Sequence, residues 1–122
     1  MAETSSAVTV RARSVGDTAV IYASDYLNKL NGERIERECR QQLDAGCRAL
    51  VINFRDTELV NSVGVSILMS VIDAAEQNGA RLIFSDANSH TINLFEMLGL
   101  TRYVSLASDE AEALSRLAES EA

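Results

Sequence analysis

The run Leu-Val-Ile-Asn-Phe at residues 50–54 constrains the fold more than any other stretch of the chain. Apolar residues that follow one another without alternating with polar ones are typical of a strand buried on both faces. After the polar turn at 55–58 the pattern changes, because apolar residues recur at three- and four-residue spacing and therefore share one face of a helix. These residues are Val63, Ile67, Leu68, Val71, Ile72 and Ala75. Residues 50–78 thus predict a buried strand followed by an amphipathic helix.

Strand and helix patterns alternate along the rest of the chain. Residues 7–13 alternate apolar with polar side chains, which predicts a half-buried strand near an edge, and residues 18–23 predict its hairpin partner. Further strands are predicted at 80–85 and 103–106, and further helices at 33–45, 90–98 and 109–120. The order β-β-α-β-α-β-α-β-α predicts one α/β domain over residues 7–122, with a mixed, mostly parallel sheet and helices packed on it. Residues 1–6 are small and polar and predict a flexible N-terminus.

The helix starts carry side chains that cap helices. Asn31 is the predicted cap of the first helix, Asn61 of the second and Ser108 of the last. Asn61 places Ser62 at the first helical position, where unpaired backbone N–H groups and the positive end of the helix dipole converge. A phosphate on a hydroxyl at that point would be stabilised by those donors. The simplest alternative is a serine at a helix start with no regulatory role.

The charge of the chain restricts its partners. A net charge of −7 and a pI near 4.6 argue against nucleic acid and against anionic membrane surfaces, which both require a basic face. No apolar run approaches the roughly 20 residues that a membrane helix requires, and the N-terminus lacks the basic and apolar segments of a secretory signal. If the sequence is complete, we expect a cytoplasmic protein whose partner has a neutral or basic docking face.

The parts of an enzyme active site are missing from the sequence. Ser62 does not lie in a Gly-x-Ser-x-Gly elbow, and His90 is the single histidine. No glycine-rich phosphate loop is present, so we expect no cofactor. Cys39 and Cys47 are interpreted as buried or half-buried thiols rather than as a disulfide, and with one histidine they are too few for a metal site. The sequence therefore predicts a protein that is not an enzyme.

The segment Leu-Val-Asn-Ser-Val-Gly-Val-Ser-Ile-Leu at residues 59–68 resembles the signature of STAS domains, in particular of the bacterial anti-sigma factor antagonists, whose usual form is Asp-Ser-x-Gly-x-x-x-Leu after a buried strand. Residues 74–83 and 94–104 resemble further segments of that family, and the order of elements agrees. In this chain Asn61 stands where the family usually has aspartate. The amide can still cap the helix, but one negative charge beside Ser62 is lost.

The resemblance implies a partner-switching protein without catalytic activity. Ser62 would be phosphorylated by an anti-sigma factor that is itself a serine kinase of the histidine-kinase-like ATPase fold, and a PP2C-type phosphatase would remove the phosphate. The unphosphorylated form would bind the kinase and free the sigma factor. The residues expected to form the binding surface are Asn61, Ser62, Val63, Gly64, Ser66, Met69, Asn28 and Ser85. Ser66, Ser70 and Thr57 are alternative acceptors of the phosphate.

A second hypothesis is a STAS module that binds constitutively. Such a module would act as a scaffold or interaction subunit, docked on a transporter ATPase or on a larger signalling assembly, and it would need no phosphate. A kinase partner would favour the switch, and a transport ATPase partner would favour the scaffold.

Overall fold

The computed structural model describes residues 10–121, and its main sheet contains five strands. The strands in this part of the chain are β1 (Ala12–Val15), β2 (Thr18–Tyr22), β3 (Tyr26–Leu27), β4 (Ala49–Asn53), β5 (Leu59–Val60), β6 (Arg81–Ser85) and β7 (Ser105–Ala107). The main sheet has the order β1-β2-β4-β6-β7. β1 is antiparallel to β2, and every other neighbouring pair in this sheet is parallel. The predicted mixed, mostly parallel sheet that begins with a hairpin is confirmed.

Within residues 10–121, four α-helices and one short 3-10 helix connect or follow the strands. They are α1 (Lys29–Asp44), α2 (Ser62–Gln77), α3 (Ser89–Met97), the 3-10 helix Leu100–Arg102 and α4 (Glu110–Glu121). The strand that was predicted to be buried on both faces is β4, which lies between β2 and β6 and is buried at all five positions. A strand with neighbours on both sides and layers on both faces has no contact with water, which explains its lack of alternation.

The two faces of the sheet are covered by different helices. One core contains the buried stripes of α1 and α2 together with Phe95 of α3. In this core Phe54, Phe84 and Phe95 pack with ring centroids 5.1 to 5.5 Å apart, at the separations that aromatic pairs prefer. The opposite face is covered by α4, whose Ala113 and Leu117 pack on alternate residues of the central strands. The parallel strands are therefore shielded from water on both faces of the sheet.

The first helix begins earlier than its sequence pattern indicated. α1 starts at Lys29 and is capped by Asn28, whose Oδ1 accepts a hydrogen bond from the backbone N–H of Asn31 at 2.9 Å. The prediction that Asn31 caps this helix is therefore wrong. The Asn31 side chain instead donates to the carbonyl of Tyr26 at 2.8 Å. Part of the predicted irregular segment before the helix is strand β3, which pairs in parallel with β5.

The cap of the last helix and the exposure of the first strand also differ from prediction. The cap of α4 is Asp109 rather than Ser108, because Asp109 Oδ1 accepts from the backbone N–H of Glu112 at 2.8 Å. Glu112 in turn accepts from the backbone N–H and hydroxyl of Ser108 at 2.6 and 2.9 Å. Strand β1 lies at the edge of the main sheet and is exposed at all four residues rather than half-buried. The predicted flexible segment 1–6, and residues 7–9 of the predicted first strand, lie outside the described residues.

Candidate functional site

The start of α2 is built around the side chain of Asn61. Its backbone is extended (φ −93°, ψ 175°), and its Oδ1 accepts from the backbone N–H of Gly64 at 2.8 Å. Its own N–H donates to the carbonyl of Leu27 at 3.0 Å, and its Nδ2 donates to the hydroxyl of Tyr26 at 3.3 Å. Asn61 therefore caps α2, as predicted, and also joins the helix to β3.

Gly64 allows β3 to approach α2 closely. A Cβ atom at this position would lie 2.3 Å from the carbonyl oxygen of Leu27 and 3.0 Å from its carbonyl carbon. Only glycine leaves room for backbone at that distance. Leu27 is itself fully buried. The role of Gly64 in the structure is thus to seat β3 on the first turn of α2.

Ser62 is the first residue of α2 and is exposed. The backbone N–H groups of the first helical turn have no partner within the helix, and the Asn61 side chain occupies that of Gly64, which leaves the N–H groups of Ser62 and Val63 as donors beside the serine. The alternative acceptors are less available. The hydroxyl of Ser66 donates to the carbonyl of Ser62 at 3.2 Å, and Thr57 is buried with its hydroxyl donating to the carbonyl of Ser24 at 2.7 Å. Ser70 is half-buried two turns into the helix.

Four exposed apolar side chains lie on the segments that adjoin this serine, which are β3, β5 and the first turns of α1 and α2. Tyr26, Leu30, Leu59 and Val63 are 41%, 56%, 55% and 43% exposed. They are tied together through Tyr26, which pairs with Leu59 across β3 and β5 and accepts through its carbonyl from the first turn of α1. We call these four residues and Ser62 the Ser62 patch. Contiguous exposed apolar side chains with a polar surround are typical of protein docking surfaces.

The predicted surface residues do not all reach this patch. Asn61 and Ser66 lie at the surface of α2, and Asn28 is half-buried at the start of α1. Met69 is half-buried and packs against the core. Ser85 is fully buried at the end of β6, so its inclusion in the binding surface was wrong. A residue at the carboxyl end of a central strand lies beneath the helices that cover it.

Val63 was predicted on the buried stripe of α2 as well as on the binding surface. The structure places its side chain outward, because the buried positions of the first turn are Gly64 and Val65. Leu30, Leu59 and Tyr26 were missed. The signal available in the sequence was the presence of apolar residues in otherwise polar segments.

A second polar cluster lies at the ends of β2 and β4. The carboxylate of Glu110 forms an ion pair with Arg13 and accepts from the hydroxyl of Tyr22 at 2.9 Å and from Asn53 Nδ2 at 3.0 Å. Burial acts to raise the pKa of Glu110, but the hydrogen bonds from Arg13, Tyr22 and Asn53 outweigh it and hold the pKa below its ordinary value. This cluster joins α4 to the sheet and explains the polar residue at 53 within the apolar run.

The described residues show no group of three or more side chains that could hold a metal ion. Both cysteines are free thiols, as predicted, and burial raises the pKa of Cys39. Within residues 10–121 no helix is long and apolar enough to cross a membrane.

Comparison with known proteins identifies the family. Residues 9–113 match the sequence profile of the STAS domain. The chain belongs to the STAS domain family. A curated relative is BtrV of Bordetella bronchiseptica, a candidate anti-sigma factor antagonist that is 24% identical over 87 residues, which are 71% of this chain and 75% of BtrV.

Solved structures of STAS proteins share the fold. The anti-sigma factor antagonist SpoIIAA of Bacillus, in its unphosphorylated form, superposes with a TM-score of 0.77 at 21% identity over 91% of this chain and 97% of its own. The phosphorylated form of SpoIIAA gives a TM-score of 0.70 at 22% identity, over 89% and 99% of the two chains. A variant of RsbS from Moorella thermoacetica gives a TM-score of 0.79 at 19% identity, over 90% and 95% of the two chains.

Proposed function

We propose that this STAS protein is an anti-sigma factor antagonist that works by phosphorylation-controlled partner switching. The unphosphorylated protein binds an anti-sigma factor in the cytoplasm through the Ser62 patch. That anti-sigma factor is a serine kinase of the histidine-kinase-like ATPase fold, and it transfers a phosphate from ATP to the hydroxyl of Ser62. A PP2C-type phosphatase restores the binding form. The antagonist has no catalytic activity of its own and needs no cofactor.

The observation that carries the proposal is the exposure of Ser62 together with that of the apolar side chains on the adjoining segments. A partner that covers Tyr26, Leu59 and Val63 would also cover Ser62. The similarity to BtrV and membership of the STAS family support the same function. One side chain can thus control a docking surface many times its own size.

The charge that phosphorylation adds is large enough to act as a switch. A phosphoserine carries close to two negative charges, which the N-terminus of α2 tolerates because of its free N–H groups and dipole. The same charges in a dry interface cost several kcal/mol unless a cation of the partner meets them. A loss of about 3 kcal/mol weakens binding roughly a hundredfold, which is enough to dissociate the complex.

The proposal is tested with substitutions at Ser62 and a matched control at Ser89. Ser89 is also an exposed first residue of a helix, and it follows an asparagine cap, Asn88, of the same geometry as Asn61. Binding is measured by calorimetry against each anti-sigma serine kinase encoded in the source genome. We expect Ser62→Asp to abolish binding, and Ser62→Ala and Ser89→Asp to keep it. Equal affinity of Ser62→Asp and Ser89→Asp would place Ser62 outside the interface.

A constitutive scaffold is the second candidate function, and Asn61 favours it. An uncharged residue beside Ser62 departs from the family signature, as expected of a member that no longer takes part in a phosphorylation cycle. Such a protein would be recovered from cells with a transporter ATPase or a signalling assembly, and its Ser62→Ala variant would behave as wild type in the cell.

A further inference from the structure

The side-chain amide of Asn61 has only one orientation that satisfies its neighbours. The NH2 group of an amide can only donate hydrogen bonds, so the atom that accepts from the backbone N–H of Gly64 must be the oxygen. The Nδ2 atom therefore faces the hydroxyl of Tyr26, at 3.3 Å. In this pair the amide of Asn61 is the donor and the phenol oxygen of Tyr26 is the acceptor.

This orientation leaves the proton of the Tyr26 hydroxyl unused. A phenol can donate one hydrogen bond as well as accept. Among residues 10–121, no group accepts a hydrogen bond from the hydroxyl of Tyr26. An aspartate at position 61 would reverse the direction, because a carboxylate has no proton and would accept the one from Tyr26. The amide of Asn61 thus presents the phenol with its proton free.

The Tyr26 hydroxyl is held at the side chain of Asn61, the residue before Ser62. The backbone of Tyr26 is fixed by pairing with Leu59 and by the hydrogen bond from Asn31 at 2.8 Å. The tyrosine side chain reaches across to Asn61, the residue before Ser62, and remains 41% exposed. A hydroxyl that can still donate is therefore held at Asn61, one residue along the chain from the exposed Ser62.

We propose that the hydroxyl of Tyr26 is a ligand for a phosphate group on Ser62, and that Asn61 makes this donor available. The inference rests on the proposed function in taking Ser62 as the phosphorylated residue. A phosphate offers three strong acceptor oxygens, and a hydrogen bond from a hydroxyl to an ionised oxygen is among the stronger ones in proteins. The phosphate is then held over the Ser62 patch, where it blocks docking, instead of extending into solvent.

The test uses phosphoserine introduced at Ser62 during translation, with and without Tyr26→Phe. Melting temperatures are measured for the four proteins. We expect Tyr26→Phe to lower the melting temperature of the phosphorylated protein by about 4 °C more than that of the unphosphorylated one, since only the former loses a charge-assisted hydrogen bond. Equal effects in the two states would overturn the inference.

Two controls separate this interaction from general effects of charge. Phosphoserine at Ser89, whose cap Asn88 donates to the carbonyl of Thr57 and not to Tyr26, should show no such difference when Tyr26 is replaced. In the Asn61→Asp background the difference should disappear, because the carboxylate accepts the phenol proton. A difference that persists in that background would contradict the role of Asn61.

The result is independent of whether cells phosphorylate Ser62, because the phosphate is installed synthetically. A difference in melting temperature together with no phosphate in cells would support the inference and contradict the proposed function. No difference, together with phosphate found in cells, would contradict the inference alone.

Discussion

Replacing Gly64 by alanine should destabilise the protein, although alanine is the better helix former. Alanine in place of glycine within a helix favours folding by up to about 1 kcal/mol. Against this, the new Cβ would lie 2.3 Å from the carbonyl oxygen of Leu27, so β3 and α2 must move apart by about 1 Å to restore an ordinary C···O contact. Overpacking of this kind costs about 1–3 kcal/mol.

The movement also strains a second contact. The carbonyl of Leu27 accepts from the backbone N–H of Asn61 at 3.0 Å, and losing that bond costs about 1 kcal/mol. The sum predicts that Gly64→Ala lowers the free energy of unfolding by about 1–3 kcal/mol. Because Leu27 precedes the cap of α1 and follows Tyr26, the displacement should also change the NMR signals of the Ser62 patch.

Gly32→Ala is the matched control. Gly32 is also buried in the first turns of a helix, but a Cβ there would meet side-chain atoms of Ile67 and no backbone: the Cδ1 end at 2.9 Å, and Cβ and Cγ2 at the ordinary contact distances of 3.4 and 3.5 Å. That side chain can rotate away, so we expect a change between neutral and about 1 kcal/mol of stabilisation. The free energy of unfolding of both variants is measured by urea unfolding, and unchanged m-values show that only the stability has changed. If Gly64→Ala were as stable as Gly32→Ala, the close approach of β3 to α2 would not exist in solution.

Three further changes test the packing and the charges. Phe95→Ala removes a fully buried ring from the aromatic cluster and should cost about 3–5 kcal/mol in urea unfolding; a cost below that of a surface substitution would contradict the packing. Glu110→Ala leaves the buried amide of Asn53 without its partner and should cost about 1–3 kcal/mol, whereas wild-type stability would show that the cluster does not form. Hydrogen bonds from Ser108 lower the pKa of Glu112 from 4.5 to about 2, so stability present above pH 4.5 should fall as the pH falls toward 2. Glu112→Gln should flatten that fall in acid titrations followed by circular dichroism, and an unchanged curve would contradict the assignment.

The sequence predicted the elements whose patterns are local and strong. The apolar run of β4 and the spacing along α2 each extend over enough residues to define a period, and Asn61 marks the helix start. The exposed serine could be found for the same reason, because its place depends only on the cap and the helix that follows. Val63 was misassigned to the buried stripe because it has helical spacing to buried residues, whereas the buried face of the first turn is set by the contact of β3 with Gly64.

The features that depend on distant contacts could not be predicted in this way. β3 and β5 contain two residues each and pair across more than thirty residues of chain, and two residues show no period. Asn28 and Asn31 are both good cap residues, and the choice between them is decided by the bond of Asn31 to the carbonyl of Tyr26. The Ser62 patch draws two of its four apolar side chains, Tyr26 and Leu30, from this region, so this half of the patch depends on the fold.

Mapping phosphate on the protein isolated from its native cells, under phosphatase inhibition, tests the central claim most directly. Intact-mass and phosphopeptide analysis would be made both on the free protein and on the protein recovered with its kinase partner. We predict one phosphate, on Ser62, in the free fraction and none in the complex. A protein without phosphate in every growth condition, or with phosphate on Ser62 in the complex, would contradict a phosphorylation switch at this residue.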